Sequence, residues 1–490
     1  MIPTQSQRQA NSSRSRLSLE LLRLIFAYFC PHCRGHLESP HWAEPRELQT
    51  ACQQDARTLF NLCLVSQQFR DAAQEIMYHE FNPCHVRDQS LSPSSNPWER
   101  RLEPFLQTIA SRPDLARSVK GAFLRAPLLE SLDFSHSRHA FEQCAHALGT
   151  SAFNLWKQRE HGPQAGISIN YYRTNRAFLV GGLKPDRIRP DVCVSIVASE
   201  LLTMLVALLP NLHHLKVEEE AEDRWRFDIS RETVNSLRLA RLPLKTLETD
   251  RPLNWLLNLV PDLETLVIHH TGAFWRDLPS LKTLRLMDGG TINLLAIHRS
   301  LSECTGHLSS FSYRGASEDE WDIVQLLDQE SFRSTLETIS LDLRVRMSPG
   351  HTPYMKPMPS FKAFTRLETL FLTTYSIYDR SSASLDDQSL VGILPLSITF
   401  LTLVDHDRPT PPERLREGLL GLANAKPTLF MQLKEIRCDS KEACDDYLRD
   451  MFERVGVDFR YQEFPRSGWS YHREPLPVAV MCGSPPSPAP

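Results

Sequence analysis

One recurrence restricts the fold of this chain more than any other feature: an apolar residue, two variable ones, a second apolar residue, one variable, then a third that is apolar or small. It appears as Leu212-Leu215-Val217, Leu244-Leu247-Thr249, Leu263-Leu266-Ile268, Leu281-Leu284-Leu286, Leu308-Phe311-Tyr313, Leu336-Ile339-Leu341, Leu367-Leu370-Leu372, Ile398-Leu401-Leu403 and Leu433-Ile436-Cys438. The last two positions of each triad are two residues apart, the strand period that places both side chains on one face. Between the triads, segments 194–209, 253–259, 323–327 and 415–422 read as helices. A single strand and helix cannot bury its own apolar face, so units repeating every few tens of residues must stack on their neighbours. The expected fold class for this region is an α/β solenoid with a curved parallel sheet.

The nine triads start between residues 212 and 433, at a mean spacing of about 28 residues, and so resemble leucine-rich repeats, whose periods run from roughly 20 to 29 residues. The position that the family usually fills with asparagine holds Glu220, Pro252, Thr271, Gly289, Ala316, Arg344, Tyr375, His406 and Lys441. No asparagine ladder is expected. The uneven intervals imply an irregular array with long insertions, of which 158–191 is one. The competing fold is a conventional α/β domain in which the leucine spacing is coincidental.

The start of the chain has a different texture. LSLELLRLIFAYF, 17–29, is apolar almost all round, with Ser18 placed to cap a helix and Cys30-Pro31 placed to end it. A second stretch, 55–81, continues a helical period through Leu59, Leu62, Cys63, Leu64, Val65 and Phe69 to Ile76, Met77 and Tyr78. Two or three helices of this size bury too little to stand alone, and a helix apolar on every side needs cover on more than one face. Docking on a partner is the physical expectation, and capping of the large domain is the alternative.

Leu19-Glu20-Leu21-Leu22 through Ile25-Phe26, then Leu62-Cys63-Leu64-Val65-Ser66 and Phe69-Arg70, resemble the F-box, and Tyr78-His79-Glu80-Phe81 is similar to the ending found in fungal F-box proteins. The resemblance covers most of 17–82 and implies a small all-α module that binds a Skp-type adaptor and, through it, a cullin scaffold. It also implies an adaptor-facing set of Leu17, Leu21, Leu22, Ile25, Phe26, Leu64, Val65 and Phe69. The sequence departs from the family in having Leu17-Ser18 where Leu-Pro is usual, and in an insertion at 30–54.

That insertion holds Cys30-Pro31-His32-Cys33, then His36, His41 and Cys52. Thiolate and imidazole are the ligand types of tetrahedral zinc, which makes Cys30, Cys33, His36 and His41 a candidate metal set. The spacing matches no standard second pair, so a loop with free thiols is the other reading. No alternating strand and helix precedes the CxxC, which argues against thioredoxin-like redox use.

The remaining composition excludes several classes. Lys plus Arg number 55 against 59 Asp plus Glu, for a net charge of -4, so no nucleic-acid footprint is present. Eleven scattered cysteines read as reduced thiols of a cytoplasmic or nuclear protein. No apolar run approaches the roughly 20 residues of a bilayer span, and no membrane partner is expected. GxGxxG, GxxxxGK, GxSxG and HExxH are all absent, so neither catalysis nor an organic cofactor is expected. The domain layout expected is a disordered tail at 1–16, the helical module at 17–82, a linker at 83–100, the repeat domain at 101–466 and a Pro-rich tail at 467–490.

The function these readings imply is that of a non-catalytic substrate receptor in a Skp-cullin-F-box ubiquitin ligase. A ligase-independent repeat scaffold and a zinc-binding regulatory protein are the alternatives. Residues alternating with the triads should face a protein substrate, among them Lys216, Glu218, His269, Arg285, Arg314, Phe371 and Arg437. The acidic run 218–223 reads as a solvated loop, or as a contact for a basic substrate.

Overall fold

A computed structural model of the chain describes residues 17–35, 46–82, 101–125, 134–152, 190–218, 228–250, 253–269, 277–287, 294–302, 308–315, 320–344, 358–374, 388–405 and 410–464, with positions 128, 154, 155, 304, 377 and 378 between them. The expected linker, most of the 158–191 insertion, positions 219–223 of the acidic run and both expected tails lie outside the described residues. The chain divides into two compact units, Met1–Leu266 and Val267–Pro490.

The first unit opens with three helices, α1 Leu19–Ala27, α2 Arg46–Val65 and α3 Gln67–Met77. Ser18 caps α1 as its residue type suggests, its hydroxyl accepting from the Leu21 amide at 3.2 Å. Ser66 does the same for α3 through the Phe69 amide at 3.2 Å, which breaks the expected continuous helical stretch in two. α2 begins at Arg46, inside the stretch expected as an insertion.

A short strand, β1 Glu80–Phe81, follows, then α4 Leu102–Ser111, α5 Pro113–Ser118 and β2 Gly121–Arg125. α6 Phe134–Ala147 packs between α4 and α7 Pro190–Leu208. Then come β3 His214–Glu218, α8 Arg231–Leu237, β4 Thr246–Thr249, α9 Asn254–Leu257 and β5 Thr265–Ile268. β1 pairs with β2, β2 with β3 and β3 with β4, all parallel.

The second unit repeats the plan through β6 Thr283–Met287, α10 Leu294–Ser302, β7 Ser310–Arg314, α11 Glu320–Leu327, α12 Glu330–Arg333 and β8 Thr338–Asp342. It continues with β9 Thr369–Thr373, α13 Ser389–Ile393, β10 Phe400–Val404, α14 Pro412–Ala425, β11 Glu435–Cys438, α15 Asp446–Arg454 and β12 Asp458–Tyr461. Within it every adjacent pair from β6–β7 to β11–β12 is parallel. Strands lying in chain order and joined by helices are the arrangement of a leucine-rich-repeat-like stack.

Each of the nine sequence triads coincides with a strand that starts two residues after its first leucine or isoleucine, and all three positions of all nine are buried. A second device fixes the register. At the entries of β2 to β5 and of β7 to β11 two successive amides donate to one carbonyl at the preceding entry. Lys120 and Gly121 donate to His79 O at 2.7 and 2.9 Å, and His213 and His214 to Lys120 O at 2.8 and 3.0 Å. In the second unit Glu337 and Thr338 donate to Ser309 O at 2.8 and 3.0 Å, and Glu368 and Thr369 to Glu337 O at 2.9 and 3.0 Å. Each such carbonyl accepts twice, so a slip by one residue would forfeit both bonds as well as the triad's burial.

Candidate functional site

The three N-terminal helices share a core of their own: Leu22, Phe26, Cys30, Leu59, Cys63, Ala72, Ala73 and Ile76. This divides the set expected to face an adaptor. Leu22 and Phe26 lie inside the core, and Phe69 is half-buried against it with its ring centroid 5.5 Å from that of Phe26. Leu17, Leu21, Ile25, Leu64 and Val65 remain 42–66% exposed. The division has a simple cause: a helix apolar all round does not reveal which side its neighbours cover, and Leu22 and Phe26, four apart, form the covered side.

The exposed side also carries Leu24, Tyr28 and Phe60, exposed at 67%, 77% and 55% and absent from the expected set. Leu21, Leu24 and Tyr28 follow the 3-4 spacing of a single helical face, which was the available signal, while Leu17 lies before the Ser18 cap. Eight large apolar side chains, Leu17, Leu21, Leu24, Ile25, Tyr28, Phe60, Leu64 and Val65, thus stay exposed on this small helical unit.

On the sheet, side chains alternating with the triads form rows set by register. In the second unit one row runs through Arg285, Ser312, Ser340, Phe371, Thr402 and Arg437. Three expected ligand-facing residues therefore share a row, while Arg314 sits in the next, opposite Asp342. Arg285 and His269 are half-buried. Arg437 donates to Glu435 Oε1 at 2.6 Å.

Phe371, expected to face a substrate, is covered within the chain. It is only 4% exposed, because Phe464, three residues past β12, sets its ring edge-on at 5.8 Å, and the Arg344 guanidinium lies 6.0 Å from the ring centre. Arg344 also donates to Phe464 O at 3.1 Å and forms a two-pronged pair with Asp342 at 2.8 and 2.9 Å. Burial works against ionisation of Asp342, but the Arg344 pair outweighs it and holds the carboxyl below its usual range. Nearby, burial pushes the Asp439 carboxyl up to about 6 although it accepts from the Asp405 amide at 2.6 Å.

In the first unit, Lys216 and Glu218 are bound to one another rather than open. Lys216 Nζ lies 3.0 Å from Glu218 and 2.6 Å from the fully buried Glu248. Burial alone would lower the Lys216 ammonium, but the Glu248 and Glu218 carboxylates raise it above the ordinary lysine range.

The candidate metal residues are regrouped. His36 and His41 lie outside the described residues, but Cys30 and Cys33 are joined by His32 and His79, and one ligand atom from each of the four lies within 4.8 Å of all the others. Cys33 Sγ is 3.3 Å from His79 Nδ1 and 3.8 Å from His32 Nδ1, and Cys30 Sγ is 3.8 Å from His79 Nδ1. Hydrogen bonding with Cys30, then with His32 and His79, holds the Cys33 thiol far below its ordinary range. Cys30, bonded to Cys33 and buried, is pushed up. Nothing local in the sequence links His79 to a cysteine 49 residues earlier.

No protein-family model and no curated protein matches the chain. Among solved structures it is similar to the leucine-rich repeat-containing protein LegL7 from Legionella pneumophila, with 14% sequence identity, 76% of this chain and 87% of that chain covered, and a TM-score of 0.31. At that score the likeness carries no argument, and the repeat-like description rests on strand order, register and triad burial. Among the described residues no helix is long and apolar enough to cross a membrane.

Proposed function

We propose that this chain is the substrate receptor of a Skp-cullin-F-box ubiquitin ligase. The observation that carries the reading is the exposed apolar face of α1 and α2, Leu17, Leu21, Leu24, Ile25, Tyr28, Phe60, Leu64 and Val65, on helices whose opposite sides already share a core. Its proposed occupant is the Skp adaptor, because the same helices carry the sequence resemblance to the F-box. Helical apolar faces of this kind dock into grooves on a partner through residues spaced i, i+3, i+4 and i+7.

The repeat strands then present a protein substrate to a conjugating enzyme held by the partners, and the chain contributes proximity and orientation rather than chemistry. The proposed substrate face is the row of Arg285 and Arg437, with Arg314 beside it. Phe371 joins that face only if the 462–464 segment moves aside.

Co-expression of the full chain with the adaptor is expected to yield a stable complex. The double variant Ile25→Asp/Leu64→Asp should lose it by roughly 1,000-fold in affinity or about 4 kcal/mol, since a charge would be buried unpaired at each point. A complex that forms equally well with both aspartates in place sinks the reading and favours a ligase-independent scaffold.

A further inference from the structure

We propose that Cys30, His32, Cys33 and His79 form a tetrahedral zinc site that fastens the end of α1 to the entry of the parallel sheet. A tetrahedron with Zn–S of about 2.3 Å and Zn–N of about 2.0–2.1 Å has ligand-to-ligand edges of about 3.3–3.8 Å. The three sulfur-to-nitrogen separations of 3.3, 3.8 and 3.8 Å already have that length. The two imidazoles stand edge to face, with centroids 5.6 Å apart and planes 77° apart, so neither ring blocks the other's approach. Two thiolates and two neutral imidazoles suit zinc, whereas calcium and magnesium want oxygen ligands that this set lacks.

The backbone around each ligand is already held. Arg34 N donates to Cys30 O at 3.1 Å and Gly35 N to His32 O at 3.0 Å, closing a turn whose last residue has φ +72°, a conformation natural to glycine. The Arg34 guanidinium, 2.6 Å from Asp55, ties that turn to α2. His79 N donates to Ile76 O at 3.1 Å, while His79 O is the first acceptor of the strand-entry ladder, receiving Lys120 and Gly121. A metal here joins chain positions 49 apart and closes the open end of the ladder, the place where stacked repeats require a cap. The inference does not depend on what docks on α1 and α2.

Metal analysis of the purified full chain is expected to find stoichiometric zinc. After chelation and cobalt loading, the visible spectrum should show the intense d–d bands of a tetrahedral site together with thiolate charge transfer, and added zinc should erase both. His79→Ala should lose most of the metal, and the paired His36→Ala/His41→Ala variant should retain it. His79→Cys should bind cobalt with stronger thiolate charge transfer, a gain that a misfolded variant would not show. Three results overturn the proposal: no zinc and no cobalt spectrum in the unmodified chain, retention by His79→Ala with loss in the His36 and His41 variant, or a Cys30–Cys33 disulfide in the alkylated chain's mass.

Discussion

The N-terminal helices and the sheet triads are built from the same leucines and isoleucines, and they put them to opposite use. All three positions in each of the nine triads are buried, whereas on α1 and α2 more large apolar residues stay in water than enter the core. The difference lies in what each element has beside it. A strand in the stack is covered by its own helix and by the neighbouring repeats. The helices α1–α3 cover one another on one side only, and a three-helix unit of this size lacks material for a second layer. In the repeats apolar residues also reach the surface, among them Phe400, Leu429 and Met431, but never at a triad position, whereas on α1 and α2 the exposed ones sit within the helices themselves.

The sharpest way to break this comparison is to truncate one leucine in each region. Leu341→Ala, at a fully buried triad position, should destabilise the chain by about 3 kcal/mol in urea denaturation through lost transfer energy and a residual cavity. Leu24→Gln, at a residue two-thirds exposed, should change stability by less than about 0.5 kcal/mol. Equal losses at the two sites would mean that the helical face is covered within the chain itself.

A slightly smaller effect is expected from Lys216→Met. It removes the ammonium 2.6 Å from the buried Glu248 carboxylate and should cost about 2–3 kcal/mol, while Lys216→Met/Glu248→Leu should recover most of that loss. Thermal melts of both variants check this, and no recovery in the pair would show that Glu248 relies on other partners.

The smallest effect concerns Asp439. Its carboxyl is raised to about 6 in the folded chain from an ordinary value near 3.8, so the native state holds a proton that the unfolded state has released between these values. Its relative stabilisation is complete below about pH 4 and is lost as the pH rises through about 6. Asp439→Asn should therefore be more stable than the parent at pH 7, by about 1–2 kcal/mol after allowing for solvent screening, and no more stable at pH 4. Urea titrations at the two pH values measure the difference.

The sequence by itself determined the nine strands β3 to β11. The leucine spacing fixes where each begins and which alternate residues are buried, because a period of two and its burial are written within six residues. Helix starts at Ser18 and the residues of α7, α11 and α14 were legible for the same local reason. What only the tertiary structure decided was the cover over each side chain. It turned Leu22 and Phe26 inward and left Leu24, Tyr28 and Phe60 outside, since an all-apolar helix has no preferred side until its neighbours are placed. It covered Phe371 with Phe464 and brought His79 to Cys33, pairings 93 and 46 residues apart in the chain. Contacts at such separations follow from the path of the whole backbone and leave no period in the sequence from which to read them.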